Sequence, residues 1–475
     1  MSNTAIRASK FSVKYPDSDT YCLKDISFSI NRATTTLITG ISGSGKTTLM
    51  RCISGISPHL IQTETKGSLE VLGRSIDSFE MYEIARIVGC VFQNPRSQFF
   101  TDNVTAEIVF AQENFGESKV AMQNTLDYVS KQFGIEDLIG RDIYTLSQGE
   151  RQLLAISCSA TLDQQILLFD EPSANLDYPN AMRLGTIIKK LNDSGITCIV
   201  SDHRFFYLDG VVDKVMSLED GHLTSYDSQT KFLESKYQYR RFNLFEGSYP
   251  QIKNRHISNT TVASLDGVYY KDILKDINLN INVGDICCLI GVNGAGKTTI
   301  ANILTGYLKP DRGVVNTDGM PFYVAQDPDY QLFGSTVEEE FKLTKHPVAD
   351  DAIDEVLTSL NLIDLKQRIP FSLSGGEKQR LQIALAKTCN KKLIVFDEPT
   401  SGLDSKRMEL VATSIKELSK TAGILVITHD YEFIQKVANR ICYLSNKTII
   451  SDFELNDNSR YQVENIFRKM GDSNE

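Results

Sequence analysis

Four short motifs occur twice in this chain, in the same order, and that repetition constrains the fold more than any other feature. GISGSGKTT (40–48) recurs as GVNGAGKTT (291–299), LSQGE (146–150) as LSGGE (373–377), and ILLFDEP (166–172) as LIVFDEP (393–399). His203 follows the apolar run in CIVSDHR, and His429 follows the one in LVITHD. A tandem duplication accounts for all four. The second half is shorter by 18 residues before its glutamine, Gln326 against Gln93, and by 6 more before its aspartate, Asp397 against Asp170. The separation from Ser147 to Asp170 nevertheless equals that from Ser374 to Asp397. Loops vary around a rigid plan whose chemistry-bearing spacing is kept. The expected organisation is a first domain over 1–230, a polar and locally basic linker over 231–260, and a second domain over 261–475.

Each GxxxxGK[ST] follows an apolar strand (TTLI; CCLI) and opens a helical pattern (TLMRCISG; TIANILTG). That context makes a phosphate cradle, because glycines let backbone N–H groups turn inward at a helix N-terminus. The first cradle is Gly40, Ser42, Gly43, Ser44, Gly45, Lys46, Thr47 and Thr48. Its counterpart is Gly291, Asn293, Gly294, Ala295, Gly296, Lys297, Thr298 and Thr299. Lys46 and Lys297 are expected at the β/γ-phosphates of ATP, with Thr47 and Thr298 offering a hydroxyl to Mg²⁺. Asp170 and Asp397 end apolar strands, where a carboxylate can hold Mg²⁺ through water. Glu171 and Glu398 come next and can polarise the attacking water. His203 and His429, at equivalent strand ends, are expected to contact the γ-phosphate.

Composition narrows the class further. With 41% hydrophobic and 23% charged residues the 475-residue chain reads as globular, and its length suits two domains or more. A net charge of −10 argues against a dedicated nucleic-acid binder. Nine cysteines stand singly apart from Cys287-Cys288, without metal-ligand spacing, which predicts buried thiols in a reducing cytosol. The first residues, MSNTAIRASK, carry no apolar export signal, and no apolar run approaches the ~20 residues that cross a bilayer. Any role at a membrane is therefore expected to need partner subunits.

Together with LSQGERQ, LSGGEKQR, SANLD (173–177), TSGLD (400–404), Gln93 and Gln326, these motifs resemble the ABC ATPase superfamily over nearly the whole chain. The resemblance implies an α/β fold of two P-loop NTPase cassettes. Each would have a RecA-like, mostly parallel sheet core, an antiparallel β subdomain and a helical signature subdomain. It also implies that ATP lies between two cassettes, the cradle of one facing the signature of the other. Ser374, Gly375, Gly376 and Glu377 would complete the first site, and Ser147, Gln148, Gly149 and Glu150 the second. Gln93 and Gln326 would approach the catalytic centre and its metal. Tyr15 would stack on adenine, with Tyr270 the candidate in the second half, where the loop is shorter. Gln148 departs from the usual glycine, and Glu150 and Glu377 from the usual glutamine. Two working but unequal sites are expected, the one using Gln148 being the weaker.

FQNPRSQFF (92–100) and AQDPDYQLF (325–333) narrow the resemblance to the ATPase subunits of energy-coupling factor (ECF) transporters. Those take up vitamins, vitamin precursors and transition-metal ions through a transmembrane T subunit and a substrate-binding S subunit. This implies a peripheral place on the cytoplasmic membrane face. Gln98, Phe99, Phe100, Gln331, Leu332 and Phe333 are expected at the T-subunit groove. Two alternatives stay open: the tandem ATPase of a sugar-type importer, and a soluble ABC ATPase of the ribosome-associated type.

Overall fold

The computed structural model describes residues 3–16, 18–235, 240–246, 258–343 and 348–472. Of the expected linker, 236–239 and 247–257 lie outside the described residues. The chain divides into two compact units, Met1–Leu176 with Asn180–Asn243, and Asp177–Pro179 with Leu244–Glu475.

In the first unit the apolar runs form a six-stranded sheet. Its order is His222–Tyr226, Lys214–Glu219, Thr35–Gly40, Thr197–Ser201, Ile166–Asp170, Val88–Val91. All pairs are parallel except the His222 edge. Such strands are covered on both faces, which is why Thr35–Gly40 and Thr197–Ser201 are buried throughout. A separate antiparallel sheet runs Leu23–Asn31, Thr4–Lys14, Glu64–Val71, Arg74–Ser75. Its alternation of buried and exposed residues turns Ile26, Phe28 and Ile30 inward. Each such side chain contributes roughly 1.5–3 kcal/mol when fully covered.

The second unit repeats the plan with less periphery. Its six-stranded sheet orders Phe322–Val324, Leu393–Asp397, Gly423–Ile427, Ile286–Ile290, Arg440–Ser445, Thr448–Glu454, and its antiparallel sheet has three strands. The 18-residue deficit falls where the first unit has the strand Arg74–Ser75 and the helix Met81–Ile87, which have no counterpart among the described residues.

Helices of the signature region start and stop where local chemistry says they should. Lys119–Phe133 is capped by Ser118, ends on Gly134 in the left-handed region, and buries Leu126, Val129 and Phe133 along one face. Asp350–Ser359 carries Asp350 and Asp351 in its first turn and buries Ile353, Val356 and Leu357. Five of the nine cysteines are buried and four half-buried, none in a disulfide. Burial pushes the Cys52 and Cys90 thiols up to about 12.

Candidate active site

Each cradle closes on a glycine that no other residue replaces cheaply. Gly45 and Gly296 precede the helices Lys46–Ile53 and Lys297–Leu304 with φ of 105° and 106°. From those helices the lysines fold back over the loop. Lys46 Nζ donates to the Gly40 and Ile41 carbonyls at 3.0 and 3.1 Å, and Lys297 Nζ to those of Gly291 and Val292 at 2.7 and 2.9 Å. Both lysines are buried, and burial lowers the Lys297 pKa. A phosphate entering the cradle would exchange those carbonyl bonds for charge-assisted ones. Tyr15 stands beside the first cradle, its hydroxyl 3.2 Å from Thr48 Oγ1. Tyr270 does not take the equivalent place. It pairs with Leu274 as Val13 pairs with Leu23, so the shorter loop moves it back into the strand and against the core.

Next to each cradle one parallel strand ends at an aspartate, Asp170 or Asp397, with a glutamate just beyond it. Asp170 and Asp397 are both pushed up to about 6, first by burial and then by the neighbouring Glu171 and Glu398. Thr298 Oγ1 donates to Asp397 Oδ2 at 2.9 Å, and Tyr323 donates to the same oxygen at 2.9 Å. Asp170 Oδ1 is buried without a hydrogen-bond partner. An orphaned carboxylate oxygen close to a threonine hydroxyl suits a hard divalent cation. Among the described residues no group of three or more His, Cys, Asp or Glu is arranged to hold a metal ion by itself. Such a cation would therefore draw its remaining ligands from phosphate and water, as Mg²⁺ does. Asp170 with Thr47, and Asp397 with Thr298, are the residues that would hold it.

Glu171 and Glu398 adopt positive φ, 46° and 48°, each pinned by its N–H to the adjacent strand, at Ser201 and Ile427. That conformation turns the carboxylate away from the aspartate and toward the histidine. Glu398 Oε1 lies 2.7 Å from His429 Nδ1, and Glu171 Oε1 lies 3.4 Å from His203 Nε2. Gln93 Nε2 donates to Glu171 Oε2 at 2.7 Å, and Gln326 stands half-buried in the equivalent position. Carboxylate and imidazole thus meet beside each phosphate cradle, joined in the first cassette by the Gln93 amide, an arrangement suited to orienting a water against a γ-phosphate.

A model of the ABC transporter family matches residues 23–174 and 274–401. The chain belongs to the ABC transporter family. A putative ABC transporter ATP-binding protein of Treponema denticola is 37% identical to it, across 98% of this chain and 99% of that one. Another, from Methanosarcina mazei, is 29% identical across 94% of each. The solved model of ribosome-bound archaeal Pelota and ABCE1 superposes with a TM-score of 0.73 over 97% of this chain and 80% of that one, at 22% identity, a likeness of fold. Like other members of the family, this chain is a tandem ABC ATPase that binds and hydrolyses ATP.

The family signature explains its own departures here. Glu150 and Glu377 close capping boxes: Ser147 N donates to Glu150 Oε2 at 2.6 Å, and Ser374 N to Glu377 Oε2 at 2.8 Å. Gln148 is exposed, and a Cβ at the equivalent Gly375 would meet nothing within 4 Å, so the extra side chain is accommodated within its cassette. Gly149 is different, since a Cβ there would lie 2.8 Å from the Asn180 side chain. Gly376 has a looser surround, with Leu403 at 3.2 Å.

Three expectations about the partner groove fail. Gln98 is turned inward, accepting from Phe92 N at 3.2 Å and donating to the Cys90 carbonyl at 3.0 Å. Gln331 does the same with Ala325 N and the Tyr323 carbonyl, at 2.9 and 2.8 Å. Both staple the loop that follows Gln93 or Gln326 and are not free to meet a partner. Leu332 is fully buried, whereas Phe99 is half-buried and Phe100 and Phe333 are 76% and 74% exposed. An apolar pair at a loop end splits into one inward and one outward residue, and sequence alone does not say which.

Reading motifs one at a time also misses how SANLD and TSGLD are held. In the first cassette Asp202, just before the histidine, accepts from Ser173 N at 3.3 Å and from the Tyr207 hydroxyl at 2.7 Å. Arg204 adds bonds to the Ser173 and Leu176 carbonyls, both at 3.3 Å. In the second, Asp430, just after the histidine, accepts from Thr400 Oγ1 at 3.1 Å. A carboxylate tethers the loop in both, from opposite sides of the histidine. The signal was SDHR against THD, in which the acidic residue changes side.

Proposed function

We propose that this chain is the energy-coupling ATPase of an ECF-type importer, driving uptake of a vitamin, vitamin precursor or transition-metal ion through T-type and S-type membrane subunits. It would sit peripherally on the cytoplasmic face of the membrane. One observation carries this reading. At two equivalent positions of the repeat, both cassettes present exposed aromatic rings: Phe100 with Tyr144 (76% and 81% exposed), and Phe333 with Phe371 (74% and 55%). In the first cassette Phe99, Phe100, Ile143 and Tyr144 line a concavity of about 480 Å³. Repeated exposed rings around a hollow suit an apolar helix of a partner subunit. Among the described residues no helix is long and apolar enough to cross a membrane, so a transport role would rest on such partners. The Treponema relative, similar over nearly its whole length, is named as a transporter ATP-binding protein, which agrees.

In this reading the lysines draw the β/γ-phosphates into the cradle, Glu171 and Glu398 polarise the attacking water, and His203 and His429 hold those carboxylates in line. Bound Mg²⁺ supplies charge neutralisation on the phosphates. The test is Phe100→Asp with Phe333→Asp, co-expressed with the neighbouring membrane genes. Copurification with membrane subunits should be lost, with ATP binding unchanged. If wild-type protein never associates with membranes and instead sediments with ribosomes, the soluble alternative replaces this one.

A further inference from the structure

The cassettes share lysine, threonine, aspartate and glutamate, but they differ beside the aspartate. Register aligns Cys90 with Tyr323: Cys90 pairs with Leu168 and Tyr323 with Val395, each two residues before its Asp. The Tyr323 hydroxyl and Thr298 Oγ1 both donate to Asp397 Oδ2 at 2.9 Å. No such hydroxyl stands on the Cys90 side; the Thr47 and Ser201 hydroxyls lie near Asp170, yet its Oδ1 is buried without a hydrogen-bond partner. A second position differs in the same place. Ile56 and Tyr307 follow their cradle lysines at equal distance, and Tyr307 packs edge-on against Tyr323 with centroids 6.2 Å apart. Where the second cassette has two tyrosines, the first has a cavity of about 410 Å³ walled by Cys90, Ile56, Met50, Thr47 and Asp170 among others.

We propose that Tyr323 is a positioning residue for Asp397, and that Cys90 in its place leaves the first ATP site with the weaker hold on a divalent cation. Two donors on one oxygen fix the Asp397 carboxylate and leave its other oxygen to face the cation. Asp170 has the Thr47 and Ser201 hydroxyls nearby, but no tyrosine fixes it and its Oδ1 keeps no hydrogen-bond partner, so its carboxylate depends more on the cation for its order. Hydrogen bonds to a ligating carboxylate are worth 10–100-fold in metal affinity. This inequality is separate from Gln148, and it rests on the reading of Asp170 and Asp397 as the metal-side carboxylates.

Mn²⁺ bound in the presence of a non-hydrolysable ATP analogue, counted by EPR on the full chain, tests it. Lys46→Ala isolates the second site and Lys297→Ala the first. In the Lys46→Ala background, Tyr323→Phe keeps the ring and its packing while removing only the hydroxyl. Mn²⁺ affinity should fall about tenfold, with analogue affinity in the absence of cation unchanged. In the Lys297→Ala background, Cys90→Tyr should tighten Mn²⁺ binding. If that variant fails to melt cooperatively, Tyr323→Cys in the second site should reproduce the first site's affinity. Asp397→Asn separates the two levels of the argument. If it weakens Mn²⁺ while Tyr323→Phe does not, the positioning role is overturned. If Asp397→Asn itself leaves Mn²⁺ binding untouched, the metal-side reading fails.

Discussion

Glu398 and His429 are joined through Nδ1 at 2.7 Å, whereas Glu171 meets His203 through Nε2 at 3.4 Å. The same two residue types in the same two motifs reach each other by different ring nitrogens. In the first cassette His203 Nε2 is also 3.4 Å from Ser42 Oγ, so its imidazole is shared with the cradle. The second glutamate is held closely by its histidine.

Glu171→Gln with Glu398→Gln should leave ATP binding within about threefold of wild type and lower turnover by 10²–10⁴-fold, the usual worth of a general base. The amide keeps the shape and the histidine contact while losing the negative charge. Nucleotide titration and phosphate release on the purified double variant check it. Turnover near wild type would remove the glutamates from the mechanism.

The same glutamates store backbone strain, and this can be measured apart from catalysis. At φ of 46° and 48° a Cβ is penalised, by about 1 kcal/mol relative to glycine. Glu398→Gly should therefore be more stable than Glu398→Ala by about that amount, and Glu171→Gly than Glu171→Ala. Both members of each pair lose the carboxylate, so the difference isolates the backbone. Chemical denaturation of the four variants decides it, and equal midpoints would mean the turn relaxes once the side chain is gone.

Legibility in the sequence followed range. The cradles and the Asp-Glu strand ends depend on residues within a few positions of one another, and spacing exposed them; the capping boxes are as local, but in the sequence Glu150 and Glu377 read only as departures from the usual glutamine. Tyr323, Asp202 and Asp430 act on residues far along the chain, brought near by parallel strands; SDHR against THD marks the two aspartates only as a difference, and nothing local marks Tyr323. Tyr270 shows how register escapes spacing: a loop shortened by six residues, from the ten-position step Val13–Leu23 to the four-position step Tyr270–Leu274, shifts an aromatic from the cradle rim to the strand position of Val13. Leu332 and Phe333 are neighbours with opposite fates, decided by packing against the helical region.

That last pair gives a prediction of its own. Leu332→Ala should cost roughly 2–5 kcal/mol, because it leaves a cavity in a closed core. Phe333→Ala should cost under about 1 kcal/mol, since its ring is 74% exposed. Denaturant midpoints of the two variants test this directly. Comparable losses would mean that Phe333 is covered in the free protein and is not an available surface.

Stability should depend on pH through Asp170 and Asp397. Their pKa values in the fold, both about 6, lie above the ordinary value of 3.8. A carboxyl that binds its proton more tightly when folded destabilises the empty protein once it is ionised. The penalty is absent below pH 4, grows between pH 4 and 6, and is complete above 6. Two pKa units correspond to about 3 kcal/mol for each group. Asp170→Asn with Asp397→Asn removes the titration and keeps amide oxygens to accept from the neighbouring hydroxyls. Without nucleotide or divalent cation, the variant should therefore gain on wild type as pH rises from 4 to 6, and the gap should then stay level to pH 8. Cation binding favours the ionised form, so Mn²⁺ affinity with an ATP analogue should fall about tenfold per unit below pH 6, after correction for the free nucleotide's own titration. Denaturation midpoints across pH, for wild type and variant side by side, measure the first effect. A constant gap between them from pH 4 to 8 would show that both carboxyls titrate normally and that burial at the strand ends does not reach them.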